Sequence, residues 1–174
     1  MSETLNSIKN RRSIRSFKDT PVEQDKLDKI IEAGLYAPSG MGRQSGIIIQ
    51  VTNKELRDEL SKFNAEIMGK SDFDPFYNAP AVLIVLAEKD IPTHVYDGSL
   101  VMQNLMLASY DLGLGSIWIH RAKEEFESEW GKNLLKSLGI DGEYEGIGHC
   151  AIGYVNGEIP SAHKIKDGRV YYIK

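Results

Sequence analysis

One run of apolar residues in the middle of the chain constrains the fold more than any other stretch. Residues 81–87 read Ala-Val-Leu-Ile-Val-Leu-Ala, without a charge or a polar side chain. A short apolar run rich in β-branched residues favours a strand, and a strand that is apolar on both faces lies inside its sheet. The run is far too short to span a bilayer. We therefore expect a sheet with this strand near its centre.

Apolar residues at helical spacing predict five helices around that strand. The second helix has a clear start signal, with Thr20 as a cap, Pro21 in the first turn and Glu23 completing a capping box. Helices are predicted over residues 4–10, 21–36, 54–69, 97–112 and 124–138, and further strands over 47–52, 115–120, 146–154 and 169–173. Interleaved helices and strands make the class α/β or α+β, with helices around a small sheet.

The predicted helix over 97–112 is the most apolar in the chain. A helix that is apolar around much of its circumference is either a central core helix or one shared with a partner subunit. The predicted strand at 169–173 has no partner that we can name within the chain. It could add to the sheet of a second subunit.

Composition limits the classes of function. A length of 174 residues suggests one domain over 1–174, and the net charge of −4 gives no reason to expect nucleic acid or a membrane as a partner. The one cysteine, Cys150, excludes an intrachain disulfide, which fits a reducing compartment such as the cytoplasm. Met1 to Leu5 do not begin a basic and then apolar signal sequence.

Several common catalytic motifs are missing from the sequence. It contains no Gly-x-Gly-x-x-Gly after a strand, no phosphate-binding P-loop and no Gly-x-Ser-x-Gly. The four histidines lack metal-ligand spacing, so no metal site is expected. We assign no catalytic side chain, and a bound cofactor becomes the best candidate for the chemistry.

A cluster of arginine and hydroxyl side chains near the N-terminus is the best candidate for holding that cofactor. Residues 10–17 read Asn-Arg-Arg-Ser-Ile-Arg-Ser-Phe. In an extended segment Arg11, Ser13 and Arg15 point to one side, and Ile14 points to the other as a buried anchor. Arginine donors match phosphate oxygens in pairs. The alternative is a solvated basic turn.

Three separated segments together resemble the FMN-dependent nitroreductase family. They are Arg-Arg-Ser-Ile-Arg-Ser-Phe at 11–17, Ala-Pro-Ser-Gly at 37–40 and Gly-Leu-Gly-Ser at 113–116, in the order and spacing of the family. The resemblance runs over nearly the whole chain. It implies an α+β nitroreductase-like fold, with a small, mostly antiparallel sheet surrounded by helices and a C-terminal segment that adds to the partner subunit.

The resemblance also implies which residues bind FMN. Those expected at the phosphate and the polar edge of the ring are Arg11, Arg12, Ser13 and Arg15, completed by the C-terminal pair Lys164 and Lys166. The loop expected to reach the flavin of the other subunit holds Pro38, Ser39, Gly40 and Gln44. Ile119 and His120 match the place where the family aims a backbone N–H at flavin N5. The family forms a homodimer with two flavins at the interface.

The implied activity is transfer of electrons from NADPH or NADH, through FMN, to a small acceptor such as a nitroaromatic or a quinone, in a ping-pong sequence. Two alternatives stay open at this point. One is a flavoprotein that binds FMN without a nicotinamide reaction, as a flavin handler or a partner-fed reductase. The other is a small phosphate-binding domain without flavin.

Some candidate residues have a structural interpretation as well. Cys150 lies in an apolar setting and is expected to be a buried small hydrophobe, and His149 is expected to be a core histidine. Phe73, Phe76 and Tyr77 form an aromatic cluster that either packs under its loop or lines the substrate pocket.

Overall fold

The computed structural model describes residues 2–174 and has a four-stranded antiparallel sheet at its centre. The strands are β1 (Gly46–Val51), β2 (Ala81–Glu88), β3 (Gly115–Ile119) and β4 (Tyr144–Gly153), and their order in the sheet is β1-β2-β4-β3. The helices are α1 (Glu3–Asn10), α2 (Gln24–Leu35), α3 (Lys54–Met68), α4 (His94–Asp111), α5 (Ala122–Glu127) and α6 (Glu129–Ser137). This architecture is α+β, as the family resemblance implied.

The strand β2 is paired on both sides, as its apolar run predicted. Val82, Ile84 and Leu86 face one core, which includes Leu60 of α3 and residues of α5 and α6. The alternate residues of β2 face a second core against α2 and α4, because side chains of a strand alternate between the two faces. Helices therefore cover both sides of the sheet.

The helix α4 is a core helix, and it also leaves apolar side chains exposed. Met102 and Leu105 are fully buried against the sheet, whereas Tyr96 and Leu100 are exposed in the single chain. The exposed apolar side chains leave a surface of α4 without a partner among residues 2–174.

The predicted capping box of the second helix is wrong. The helix α2 begins at Gln24, its N-cap is Glu23, and no side chain caps it. Both carboxylate oxygens of Glu23 instead accept from the hydroxyl of Tyr154, at 2.9 and 2.7 Å. A contact with the far end of the chain thus replaces the local cap that Thr20 and Pro21 suggested.

The predicted helix over 124–138 is also wrong, because it is two helices that meet at Ser128. The backbone of Ser128 is extended, and its hydroxyl donates to the Glu125 carbonyl at 2.6 Å and accepts from the Gly131 N–H at 3.2 Å. Serine competes with helical backbone bonds in this way, and so it ends α5 and caps α6.

The C-terminal segment has no strand in the single chain. Residues 169–173 carry no secondary structure, and their side chains are exposed. The predicted pairing with a partner subunit stays a prediction. Among residues 2–174 no helix is both long and apolar enough to cross a membrane.

Cys150 is fully buried in β4, as expected, and desolvation raises the pKa of its thiol to about 12. Of the aromatic cluster, Phe76 is fully buried in the core and packs beside the ring of His149, whereas Phe73 is exposed. Phe76 therefore has the structural role, and the role of the cluster at a substrate pocket stays a prediction.

We predict that Gly146→Ala strongly destabilises the fold. A Cβ atom at Gly146 would lie 2.1 Å from the Ala122 carbonyl oxygen, and this backbone cannot move aside without displacing α5 from β4. The free energy of unfolding should fall by about 3 kcal/mol, measured by urea denaturation. Gly139→Ala is the control, because its Cβ meets open space and the residue has a positive φ, so it should cost about 1 kcal/mol. Equal losses in the two variants would contradict the prediction.

Candidate functional site

The N-terminal arginine segment lies along the outer edge of β3. Ser13 forms a parallel bridge with Ser116, and the Ile14 N–H donates to the Ser116 carbonyl at 3.1 Å. Ile14 is buried, as its alternation with the arginines predicted. A Cβ atom at Gly115 would lie 2.7 Å from Ile14 Cγ1, so the glycine permits this close approach. The structure thus brings together the first and third of the segments that carry the family resemblance.

Arg11 has a buried donor that is suited to an anionic ligand. Its Nη1 atom is buried and has no hydrogen-bond partner among residues 2–174. Burial lowers the pKa of Arg11, neighbouring Arg12 lowers it further, and Cys150 acts in the opposite direction. A buried cationic donor without an acceptor is costly, and an anion would satisfy it. A phosphate group fits these requirements.

The other two arginines differ from Arg11 in their surroundings. Arg12 donates through Nη1 to the carbonyls of Lys9 and Arg11, both at 2.8 Å, and so satisfies the C-terminal end of α1. Arg15 is exposed to solvent. The three side chains that look equivalent in the sequence therefore have different capacities for a ligand.

The loop that holds Pro38, Ser39, Gly40 and Gln44 is anchored by Asp97 at the start of α4. One carboxylate oxygen of Asp97 accepts from the Gly40 N–H at 3.0 Å. The other accepts from the hydroxyls of Ser45 at 2.8 Å and Thr93 at 3.1 Å. Within the loop, the Ser39 hydroxyl accepts from the Gln44 N–H at 2.9 Å.

Asp97 did not stand out in the sequence as a functional residue. The available signal was one acidic residue in the first turn of the most apolar helix, which is also an ordinary helix-start pattern. In the structure Asp97 is buried. Burial by itself raises the pKa of Asp97, but the bonds from Gly40, Ser45 and Thr93 outweigh it, and the pKa lies below its ordinary 3.8.

The loop and the arginine segment lie at opposite ends of α4 in the single chain. The loop is attached through Asp97, in the first turn, and Ser7 of α1 contacts Asp111, in the last turn, at 3.4 Å. At a rise of about 1.5 Å per residue, the 14 steps from Asp97 to Asp111 span about 21 Å. The loop also leads into β1 and the arginine segment lies along β3, so β2 and β4 separate the two within one chain.

The turn after β3 presents a free backbone donor. The Ile119 carbonyl oxygen lies on the β4 side, 3.4 Å from His149 Nδ1. Because C=O and N–H point in opposite directions across a trans peptide, the His120 N–H faces the open outer edge of β3. No backbone carbonyl from residues 2–174 accepts a hydrogen bond from it. The arginine segment occupies the other end of the same edge.

Lys164 and Lys166 lie in the C-terminal segment that follows β4. Both side chains are exposed, and neither forms a salt bridge within the described part of the chain. Their predicted role at the phosphate is untested by the single chain.

We predict that Asp97→Asn loosens the loop and destabilises the protein by roughly 1–3 kcal/mol, because an amide cannot accept all three hydrogen bonds. Since the pKa of Asp97 is lower in the folded state than in the unfolded state, its charge stabilises the fold above pH 3.8, and this contribution is lost as the pH falls below that value. The free energy of unfolding of the wild type and of Asp97→Asn, measured across a range of pH, checks this difference. The control, Asp25→Asn, removes an exposed carboxylate on α2 and should change stability by less than about 0.5 kcal/mol. If the difference in free energy of unfolding between wild type and Asp97→Asn became larger in acid, it would contradict the stabilising role assigned to the Asp97 charge.

Comparison with known proteins gives consistent matches. The model of the family described as "Nitroreductase family" matches residues 8–154. The chain is 30% identical to a putative NADH dehydrogenase/NAD(P)H nitroreductase of Archaeoglobus fulgidus, over 91% of this chain and 88% of the relative. A protein with the same description from Methanothermobacter thermautotrophicus is 31% identical over 67% of this chain, which spans 60% of that relative.

A solved structure is similar over the full length. It is a nitroreductase with bound FMN from Bacteroides fragilis, 28% identical, with a TM-score of 0.90 and coverage of 100% of both chains. These matches confirm the predicted nitroreductase-type oxidoreductase family and its fold, and the bound FMN agrees with the predicted cofactor. Since the family model matches well over half of this chain, the chain belongs to the nitroreductase family.

Proposed function

We propose that this chain is an FMN-dependent oxidoreductase that passes electrons from NADPH or NADH to a small acceptor, such as a nitroaromatic or a quinone. The observation that carries the proposal is the buried, unpartnered Nη1 of Arg11 at the edge of β3. The names of the relatives and the FMN in a solved relative support it. Donor and acceptor would use the site in turn, in a ping-pong sequence.

The phosphate of FMN would be held mainly by Arg11. Ser13 and Arg15 flank it on the same segment, and Lys164 and Lys166 are the candidates that complete the charge. Arg12 contributes less directly, because its Nη1 is already used by the carbonyls at the end of α1. This division follows from the donors that the fold leaves free.

Ile119 and His120 would serve the flavin ring through their backbone. FMN supplies hydride and electron transfer when bound, and the protein supplies placement and charge. The His120 N–H is a free donor on the same sheet edge as the arginine segment. No side-chain acid, base or nucleophile is assigned to the reaction.

The site would be completed by a second copy of the chain. The loop with Pro38, Ser39, Gly40 and Gln44 is anchored at the first turn of α4 and leads into β1, whereas the arginine segment lies along β3 at the other edge of the sheet. A partner's loop would therefore approach the flavin instead. Exposed apolar side chains provide a surface for such a homodimer. They include Leu5 and Ile8 on α1, Leu35 and Tyr36 at the C-terminal end of α2, and Val95, Tyr96 and Leu100 on α4.

We further propose that residues 1–174 act as one FMN-binding domain in the cytoplasm. A single buried thiol and the absence of any disulfide within residues 2–174 support a reducing compartment. Cell fractionation with an antibody to the chain tests the location.

We predict that the purified protein is yellow and that its visible absorption bleaches with NADPH or NADH in the absence of oxygen. An acceptor such as a quinone should restore the colour. A protein that stays yellow with both nicotinamides would favour the alternative of a flavoprotein without nicotinamide turnover. A protein that stays colourless after FMN is added would contradict the proposed function itself.

We predict that Arg11→Ala raises the dissociation constant of FMN about 10- to 100-fold. It removes a charge-assisted hydrogen bond worth about 1.5–3 kcal/mol. Quenching of flavin fluorescence during titration of the apoprotein measures the constant. Arg12→Ala is the matched control and should have the smaller effect on affinity. An Arg11→Ala protein with unchanged affinity would remove the phosphate assignment.

We predict that two defective chains complement each other in a mixed dimer. Arg11→Ala removes the phosphate contact, and Gly40→Val distorts the loop, because a Cβ atom at Gly40 would lie 2.3 Å from Thr93 Oγ1. Each variant alone should lose both sites of its homodimer. A co-expressed heterodimer, purified with two different tags, should regain one FMN per dimer. Failure to regain flavin would contradict a site shared between subunits.

A further inference from the structure

A buried polar network lies directly behind the turn from β3 to α5. Glu125 and His149 are both fully buried, and Glu125 Oε2 is 2.6 Å from His149 Nε2. The proposed reaction uses neither side chain. Replacing a buried pair of this kind with apolar residues often leaves stability unchanged or improves it. Its presence therefore points to a role in fixing the local structure.

Asn64 of α3 ties this pair to the turn. It is fully buried, and its Nδ2 donates to the His120 carbonyl at 2.9 Å and to Glu125 Oε1 at 2.7 Å. Its Oδ1 accepts from Arg121 Nε at 2.9 Å. Both N–H donors and the carbonyl of the amide are thus engaged, and the side chain is fixed from three directions.

The backbone at Arg121 is held in a conformation that its side chain disfavours. Its φ is +77°, in the left-handed region, where residues other than glycine are uncommon. Such conformations persist where the surroundings hold them, and they concentrate at functional sites. The bond to Asn64 is one of the contacts that hold Arg121.

The network constrains the peptide between Ile119 and His120 at both ends. The Ile119 carbonyl lies near His149 Nδ1, and the following carbonyl, that of His120, is bound by Asn64. These two contacts fix the orientation of the peptide between Ile119 and His120. The His120 N–H therefore points away from β4, toward the open edge of β3.

We propose that Asn64, backed by the Glu125–His149 pair, is a positioning residue that holds the His120 N–H toward the ring of bound flavin. The inference rests on the proposed function. Asn64 acts through the backbone that it binds. Asn64 therefore affects the contacts with the flavin ring, whereas the contacts with the phosphate depend on Arg11.

Riboflavin separates the two kinds of contact, because it has the ring and lacks the phosphate. Dissociation constants of riboflavin and FMN are measured on flavin-free protein by fluorescence quenching. Asn64→Leu keeps a similar volume and removes all three hydrogen bonds. It should raise both constants by a similar factor, about two- to tenfold for one misplaced hydrogen bond. Arg11→Ala should raise the constant of FMN alone.

Two further variants separate positioning from loss of stability. Arg121→Gly removes the donor to Asn64 and relieves the left-handed backbone, so it should weaken riboflavin binding without lowering the melting temperature. Asn53 is the N-cap of the helix that carries Asn64, and Asn53→Leu removes its bond from the Leu56 N–H, at 2.8 Å. It should lower the melting temperature and leave both dissociation constants unchanged.

The outcomes distinguish this inference from the function on which it rests. Parallel loss of riboflavin and FMN affinity in Asn64→Leu and Arg121→Gly, but not in Asn53→Leu, supports the positioning role. If wild-type protein binds both ligands, and Asn64→Leu and Arg121→Gly bind them no more weakly than Asn53→Leu does, the positioning role is overturned. The FMN proposal then stays intact. Wild-type protein that binds neither ligand overturns both.

Discussion

The hydrogen bond from the Ile14 N–H to the Ser116 carbonyl is the contact on which the arrangement of the site depends. It attaches the N-terminal segment to the outer edge of β3 and so fixes where the arginines lie. Because it uses one end of that edge, the other end keeps its free N–H at His120. An edge strand with unpaired backbone groups is ordinarily a liability. Here the same groups make the edge suitable for a ligand that is anionic at one end and accepts hydrogen bonds at the other.

The central features of the fold could be predicted because their signals are local. The apolar run of β2 indicates a strand buried on both faces, and the periodicity of α4 indicates a helix in contact with the core. The prediction of the α2 start failed because Glu23 binds Tyr154, 131 residues further along the chain. The break at Ser128 was missed because serine is common inside helices as well as at their ends. Its role depends on the bond to the Glu125 carbonyl.

The candidate site was predictable in composition but not in geometry. The sequence places Arg11, Arg12 and Arg15 in one cluster, and their different roles follow from burial, which only the packed structure gives. Asp97 and Asn64 were missed because an acidic residue near a helix start and a polar residue inside a helix are both ordinary. Their importance lies in the backbone groups that they bind, which come from other elements of the fold.

The burial of Cys150 has a practical consequence for work on the C-terminal segment. The thiolate is the reactive form of cysteine, and with a pKa of about 12 and a fully buried side chain, Cys150 is inert at neutral pH. It is the one cysteine of the sequence. A cysteine introduced at exposed Ile173 would therefore take a spin label or fluorophore selectively in the otherwise native chain. The path of the C-terminal segment could then be followed spectroscopically in solution.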